Sequence, residues 1–109
     1  MSLPLVAILR GVTPAEIIDI AESIIAAGIT RIEIPLNSPQ PLESVEKLAR
    51  HCAEHHGDRI LVGAGTVLTH EQVRDVHAAG GRLVVSPNCN VEVIRESRRL
   101  EMVSLPGIV

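Results

Sequence analysis

The chain has 109 residues, of which 46% are hydrophobic and none aromatic, and it carries a net charge of -3. That composition fits one small globular domain with a core of Ile, Val, Leu and Ala, and it excludes a disordered chain. The mild charge comes without a basic run, so nothing favours nucleic acid, and no apolar stretch is long enough to span a bilayer.

In chain order, "PLVAILRG" is a short apolar run and reads as a strand over roughly residues 4–10. The N-terminal run has no basic residues ahead of it, so a signal peptide is not expected. "TPAEIIDIAESIIAAG" follows at helical period, with Ile17, Ala21, Ile24 and Ile25 on one stripe. Thr13 is the expected N-cap, with Pro14 at the first helical position, Glu16 closing a capping box and Gly28 ending the helix. "RIEIPLN" then reads as a strand over 31–36, and "PLESVEKLARHCAEHHG" as a helix ending at Gly57. "ILVGAGTV" supplies a strand over 60–65, and "THEQVRDVHAAG" a helix capped by Thr69 with Gln72 three residues on. "RLVVSPN" is a strand over 83–87, "NVEVIRESRRL" a fourth helix, and "MVSLPGIV" the start of a fifth strand.

Near-continuous apolar strands alternating with helices mean βαβ units and a parallel sheet covered by helices. Each strand is followed by a polar position at the corresponding place: Arg10, Asn37, Thr66 and Asn88. These are the carboxyl ends of the strands, where α/β folds build their sites. Such regular recurrence favours a (β/α)8 TIM barrel over an open doubly wound sheet, which gathers its site at one switch point. A barrel needs about 200 residues or more. Residues 1–109 therefore read as the N-terminal half of a single barrel, about four βα units and the start of a fifth strand. The apolar, uncapped "LPGIV" at the end is expected to be part of a longer chain.

Glu33 stands out. It sits between Ile32 and Ile34 in an apolar strand, where a carboxylate costs several kcal/mol of desolvation unless it is paired or has a function. Strand alternation lets Ile32 and Ile34 face the helices while Glu33 points to the other side. A carboxyl group in such a place has its pKa raised toward neutrality and can act as both acid and base. The structural alternative is a buried ion pair with Arg10 on the adjacent strand.

The motifs "AILRG", "EIPLNSPQ", "GAGTVL" and "VSPN", in this order and spacing, resemble the 2-keto-3-deoxy-6-phosphogluconate and -galactonate aldolases. These are class I aldolases of the (β/α)8 type, and the resemblance covers nearly all of this chain but about the first half of a family member. The gluconate-type enzymes resemble E-x-T-L-R-T on strand 2. Here Asn37 stands at that Arg and Arg10 ends strand 1 instead, an arrangement similar to the galactonate type.

The resemblance implies reversible cleavage of a phosphorylated 2-keto-3-deoxy sugar acid to pyruvate and glyceraldehyde 3-phosphate. A lysine forms a Schiff base with the ketone, which becomes the electron sink, so no cofactor and no metal is expected. Glu33 matches the proton-shuttling Glu. Arg10 would clamp the substrate carboxylate through its planar fork, and Thr66 would donate a second hydrogen bond to it. Their alternatives are a solvated strand-end Arg and a local cap of the following loop. Gly63 and Gly65 would leave room for the ligand. They are no dinucleotide fingerprint, because Leu68 stands where a third Gly is required. Pro87 and Asn88 would shape the floor and edge of the site. For Asn88 and Asn37 a turn or helix-cap role competes with ligand contact.

Two features compete for attention. "HCAEH" fits an H-x-x-E-H zinc pattern, but no third ligand is evident in sequence, and His51 and His55 suit a last helical turn through the dipole. Lys47, the one lysine, lies mid-helix beside Glu43 and reads as a surface ion pair. The resemblance puts the Schiff-base lysine on strand 6 and the phosphate loops later still, both beyond Val109. The 109 residues alone are then expected to be inactive. Family resemblance implies a homo-oligomer, a trimer. Cys52 and Cys89 form no CxxC pair and suit a reducing, cytoplasmic setting. The competing reading is a non-catalytic half-barrel from a split or decayed gene. An unrelated small α/β binding domain would leave Glu33 unexplained.

Overall fold

The computed structural model describes residues 5–86 and 91–106, Pro106 by its backbone only. Strands and helices alternate as β1 (Val6–Ile8), α1 (Ile17–Ala26), β2 (Arg31–Pro35), α2 (Pro41–His55), β3 (Leu61–Gly65), α3 (His70–Ala78), β4 (Leu83–Ser86), α4 (Val91–Arg99) and β5 (Val103–Pro106). The strands are all parallel and pair in the order β1-β2-β3-β4-β5. Strand order equals chain order, as in a barrel wall. A doubly wound sheet would reverse at a switch point, and this one does not. No helix among the described residues is long and apolar enough to cross a membrane.

The strands divide their side chains between two faces. On one face, Ile32, Ile34, Val62, Ala64 and Val84 share a core with Ile17 and Ala21 of α1, Val45 and Leu48 of α2, Val73 and Val76 of α3, and Val93 of α4. Each fully buried Ile, Leu or Val contributes roughly 1.5–3 kcal/mol. The helices therefore cover a single face. On the other face the strand register sets Ile8, Glu33, Gly63, Leu83 and Val103 side by side.

The helix ends show where sequence rules hold and where they give way. Thr69 and Gln72 make the expected capping box on α3, the Thr69 hydroxyl accepting from Gln72 N at 3.2 Å. At α1 the structure differs. The Glu16 carboxylate accepts from Thr13 N at 3.2 Å, the return bond of the expected capping box, but it also accepts from the Thr13 hydroxyl at 2.8 Å, and regular helix begins only at Ile17. Gly28 ends α1 as expected. It holds φ 97°, and Gly28 N and Ile29 N donate back to Ile25 O and Ile24 O at 2.9 and 3.4 Å, the arrangement that favours glycine. Lys47 also differs from expectation. Its Nζ donates to the Pro14 carbonyl at 2.8 Å, bridging α2 to the start of α1. A fixed carbonyl across that contact outcompetes exposed Glu43, because a solvated ion pair is worth little. Between α3 and α4, Glu96 accepts from Arg74 and Arg99, each at 2.7 Å, which holds its carboxyl down at about 2.

Candidate active site

Glu33 lies on the face of β2 away from the helices and is only 3% exposed. Among the described residues its Oε2 is buried with no hydrogen-bond partner. Burial pushes the carboxyl up to about 7, against the opposing pull of the Arg10 charge. Among the described residues no ion pair joins the two groups, so the buried-pair alternative for Glu33 finds no contact to support it. The carboxylate instead lies across β3. A Cβ on Gly65 would collide with the Glu33 carboxylate, and one on Gly63 with the Leu83 carbonyl. The space beside these glycines is thus filled by the protein's own groups, Glu33 among them, and is not simply left for a ligand.

A pocket of about 270 Å³ opens above this row. Arg10, Glu33, Asn37 and Thr66 supply its polar groups, and Ile8, Pro35 and Val85 its apolar wall. The structure therefore brings together four of the residues singled out in the sequence, contributed by β1, β2, β3 and the turns after them. Pro87 and Asn88 lie outside the described residues.

The loops that carry these groups are tied to one another. Asn37 sits in a turn closed by Ser38 N donating to Pro35 O at 2.9 Å, and its side chain is exposed. The Ser38 hydroxyl accepts from Gly11 N at 3.2 Å, which fixes the loop carrying Arg10 against the loop carrying Asn37. Ser38 is buried, and sequence reasoning did not single it out, since a serine in a turn is unremarkable by type. Thr66 adopts φ 56°, a left-handed conformation that costs a β-branched residue of the order of 1–3 kcal/mol. The following loop is capped by Thr69 and Gln72, with Leu68 N also donating to Gln72 Oε1 at 2.7 Å. The bond from Val67 N to Val85 O at 3.2 Å holds the strained turn against β4.

Lys47 is absent from this pocket, because α2 packs on the opposite face of the sheet. Another concavity, of about 290 Å³, lies at the far end of the strands between Cys52, Ile60 and Arg82. Burial, with help from Glu22, pushes the Cys52 thiol up to about 11. It stays a neutral thiol at physiological pH and offers no nucleophile.

Residues 1–109 match, over their full length, the family described as KDPG and KHG aldolase. The probable 2-dehydro-3-deoxy-6-phosphogalactonate aldolase of Rhizobium meliloti (strain 1021) is 45% identical over 108 residues, 99% of this chain and 49% of that protein. The 2-dehydro-3-deoxy-6-phosphogalactonate aldolase of Escherichia coli (strain K12) is 45% identical over 105 residues, 96% of this chain and 49% of that protein. The solved structure described as native KDPGal superposes with a TM-score of 0.89 at 43% identity, over 100% of this chain and 51% of that one. The chain spans about half the length of the curated relatives it matches, and its sequential parallel sheet is that of the TIM-barrel class. Sequence and fold agree on the assignment: the chain belongs to the KDPG and KHG aldolase family.

Proposed function

We propose that residues 1–109 form the N-terminal half of one (β/α)8 barrel, a class I aldolase that reversibly cleaves 2-dehydro-3-deoxy-6-phosphogalactonate or -gluconate to pyruvate and glyceraldehyde 3-phosphate. The observation that carries the reading is Glu33: a buried carboxyl with no partner on Oε2 among the described residues, raised by burial to about 7, in a pocket it shares with Arg10.

The chemistry follows from that placement. A lysine amine adds to the C2 ketone, and loss of water gives the imine. Glu33, as carboxylate, takes the C4 hydroxyl proton. The C3–C4 bonding electrons move into the imine, glyceraldehyde 3-phosphate leaves, and an enamine remains. A proton returned to C3 and hydrolysis of the imine then release pyruvate and the free amine. A group titrating near 7 is suited to both directions of transfer, since its driving force is balanced at neutral pH. Arg10 clamps the substrate carboxylate, with Thr66 as the second donor and Asn37 beside them, while Pro87 and Asn88 shape the floor and edge of the site. The strained Thr66 backbone supports this role, because left-handed β-branched residues cluster at functional sites.

Lys47 does not supply the amine in this reading. Its Nζ is bonded to the Pro14 carbonyl on the helix side of the sheet. The nucleophile and the phosphate site come from outside these residues, and the 109 residues alone are inactive. The active form is a cytoplasmic homo-oligomer, a trimer.

The test is to trap the imine. The complete barrel is incubated with pyruvate, reduced with borohydride, and the adduct mapped. One adduct is expected, on a lysine other than Lys47, and none on residues 1–109 alone. An adduct on Lys47 would contradict the reading, and no adduct on the complete barrel would remove the Schiff-base chemistry from it.

A further inference from the structure

At the opposite end of the molecule from Glu33, three side chains converge that the aldol chemistry does not use. Helices α1 and α2 run back along the sheet, so their C-terminal halves lie toward the amino ends of the strands. There Glu22 of α1 meets His51 of α2 and His56 at its C-cap. His51 Nε2 and His56 Nε2 lie 2.6 and 2.8 Å from the same oxygen, Glu22 Oε1. One ligand atom from each residue falls within 4.8 Å of the others. The sequence offered His51 and His55 as a pair with no third member. The fold replaces exposed His55 by His56 and adds Glu22 from another helix.

We propose that Glu22, His51 and His56 form a divalent-metal site selective for zinc-like ions, which clamps α1 to the end of α2. Two imidazoles and one carboxylate are the donor set of borderline ions such as Zn2+, whereas Mg2+ and Ca2+ require several oxygens. Bonds of about 2.0–2.2 Å to a tetrahedral ion put ligand atoms roughly 3.3 Å apart. Glu22 Oε1 has to withdraw by about half an ångström from its present 2.6 and 2.8 Å contacts to admit the ion. It has the freedom to do so, because its side chain is 40% exposed while those of His51 and His56 are 22% and 14% exposed. The partly open side leaves room for water as the fourth ligand. The hydrogen bonds from the two imidazoles hold the Glu22 carboxyl below its ordinary range, so it is charged at neutral pH.

Arg59 sets the resting tautomer. Its Nη2 lies 3.2 Å from His56 Nδ1. A guanidinium only donates, so Nδ1 accepts and Nε2 carries the proton toward Glu22. Metal entry at Nε2 moves that proton to Nδ1 by way of solvent, and Arg59 must swing aside. Arg59 thus opposes metal binding.

The test titrates the untagged, chelator-stripped intact protein with Zn2+ against a chromophoric chelator. One equivalent is expected to bind, with Mg2+ failing to compete. His51→Ala, His56→Ala and Glu22→Gln should each weaken binding by about tenfold or more, while His55→Ala leaves it unchanged and Arg59→Gln strengthens it. These positions lie outside the apolar core, and circular dichroism checks that each variant is folded. A thermal melt should show Zn2+ raising Tm in the wild type and not in His56→Ala. Absence of saturable Zn2+ binding by the wild type would overturn the proposal and leave a proton-sharing cluster only. Equal loss on His55→Ala, or no change on removing both His51 and His56, would overturn it as well.

Discussion

Glu33→Gln keeps the shape of the side chain and removes its titration, so it isolates the cost of holding a carboxylate in the buried site. A carboxyl at about 7 in the folded chain, against 4.5 ordinarily, corresponds to roughly 3 kcal/mol. Between those values the folded chain retains a proton that the unfolded chain has released. Stability of the wild type therefore falls as pH rises through this window and levels off above it. Glutamine does not titrate. The variant should match the wild type in its pH response below about pH 4.5 and gain on it progressively above, by up to roughly 3 kcal/mol at about pH 8. Urea unfolding at several pH values reads this directly. A difference that is constant with pH would refute the reasoning. A wild type that gains on the variant as pH rises would mean a carboxylate paired with Arg10.

Further outcomes follow from the same geometry. Arg10→Lys keeps the charge and loses the fork, so KM for the keto acid should rise with kcat little changed; an unaltered KM would remove Arg10 from the clamp. Gly65→Ala places a methyl group where the Glu33 carboxylate lies, so kcat should fall and the pH response of stability just described should flatten; wild-type behaviour in both would show that the carboxylate is not held there. Glu96→Gln removes the acceptor shared by Arg74 and Arg99. A carboxyl depressed to about 2 contributes stability above its ordinary pKa and loses it as pH falls toward 2. Tm of this variant should be lower than wild type at neutral pH, and the gap should close in strong acid.

Much of this was legible in sequence, for physical reasons that differ by element. The strands β2 and β3 were readable because apolar runs bounded by turn residues have few other uses in a short chain. Glu33 was readable as an exception within one of them. The cap on α3 was readable because Thr69 and Gln72 satisfy each other locally, without help from the rest of the fold. Thr13 and Glu16 have the same spacing, yet there the hydroxyl bonds the carboxylate, a choice between two local partners that the spacing does not decide. Lys47 went to Pro14 and not Glu43 because the deciding carbonyl lies 33 residues away in sequence. Ser38, and the meeting of Glu22 with His51 and His56, are likewise products of packing between separate βα units. No local pattern announces them.

The proton role of Glu33 is tested most directly by exchange of the pyruvate methyl protons with deuterated solvent, catalysed by the complete barrel and followed by NMR. Exchange requires an imine and a base but neither the aldehyde nor its phosphate, so it isolates the proton transfer. The expected result is rapid exchange by the wild type, and a loss of roughly 10²–10⁴-fold in Glu33→Gln while borohydride still traps pyruvate on the variant. Exchange at the wild-type rate in Glu33→Gln would contradict the assignment of Glu33 as the group that moves the proton.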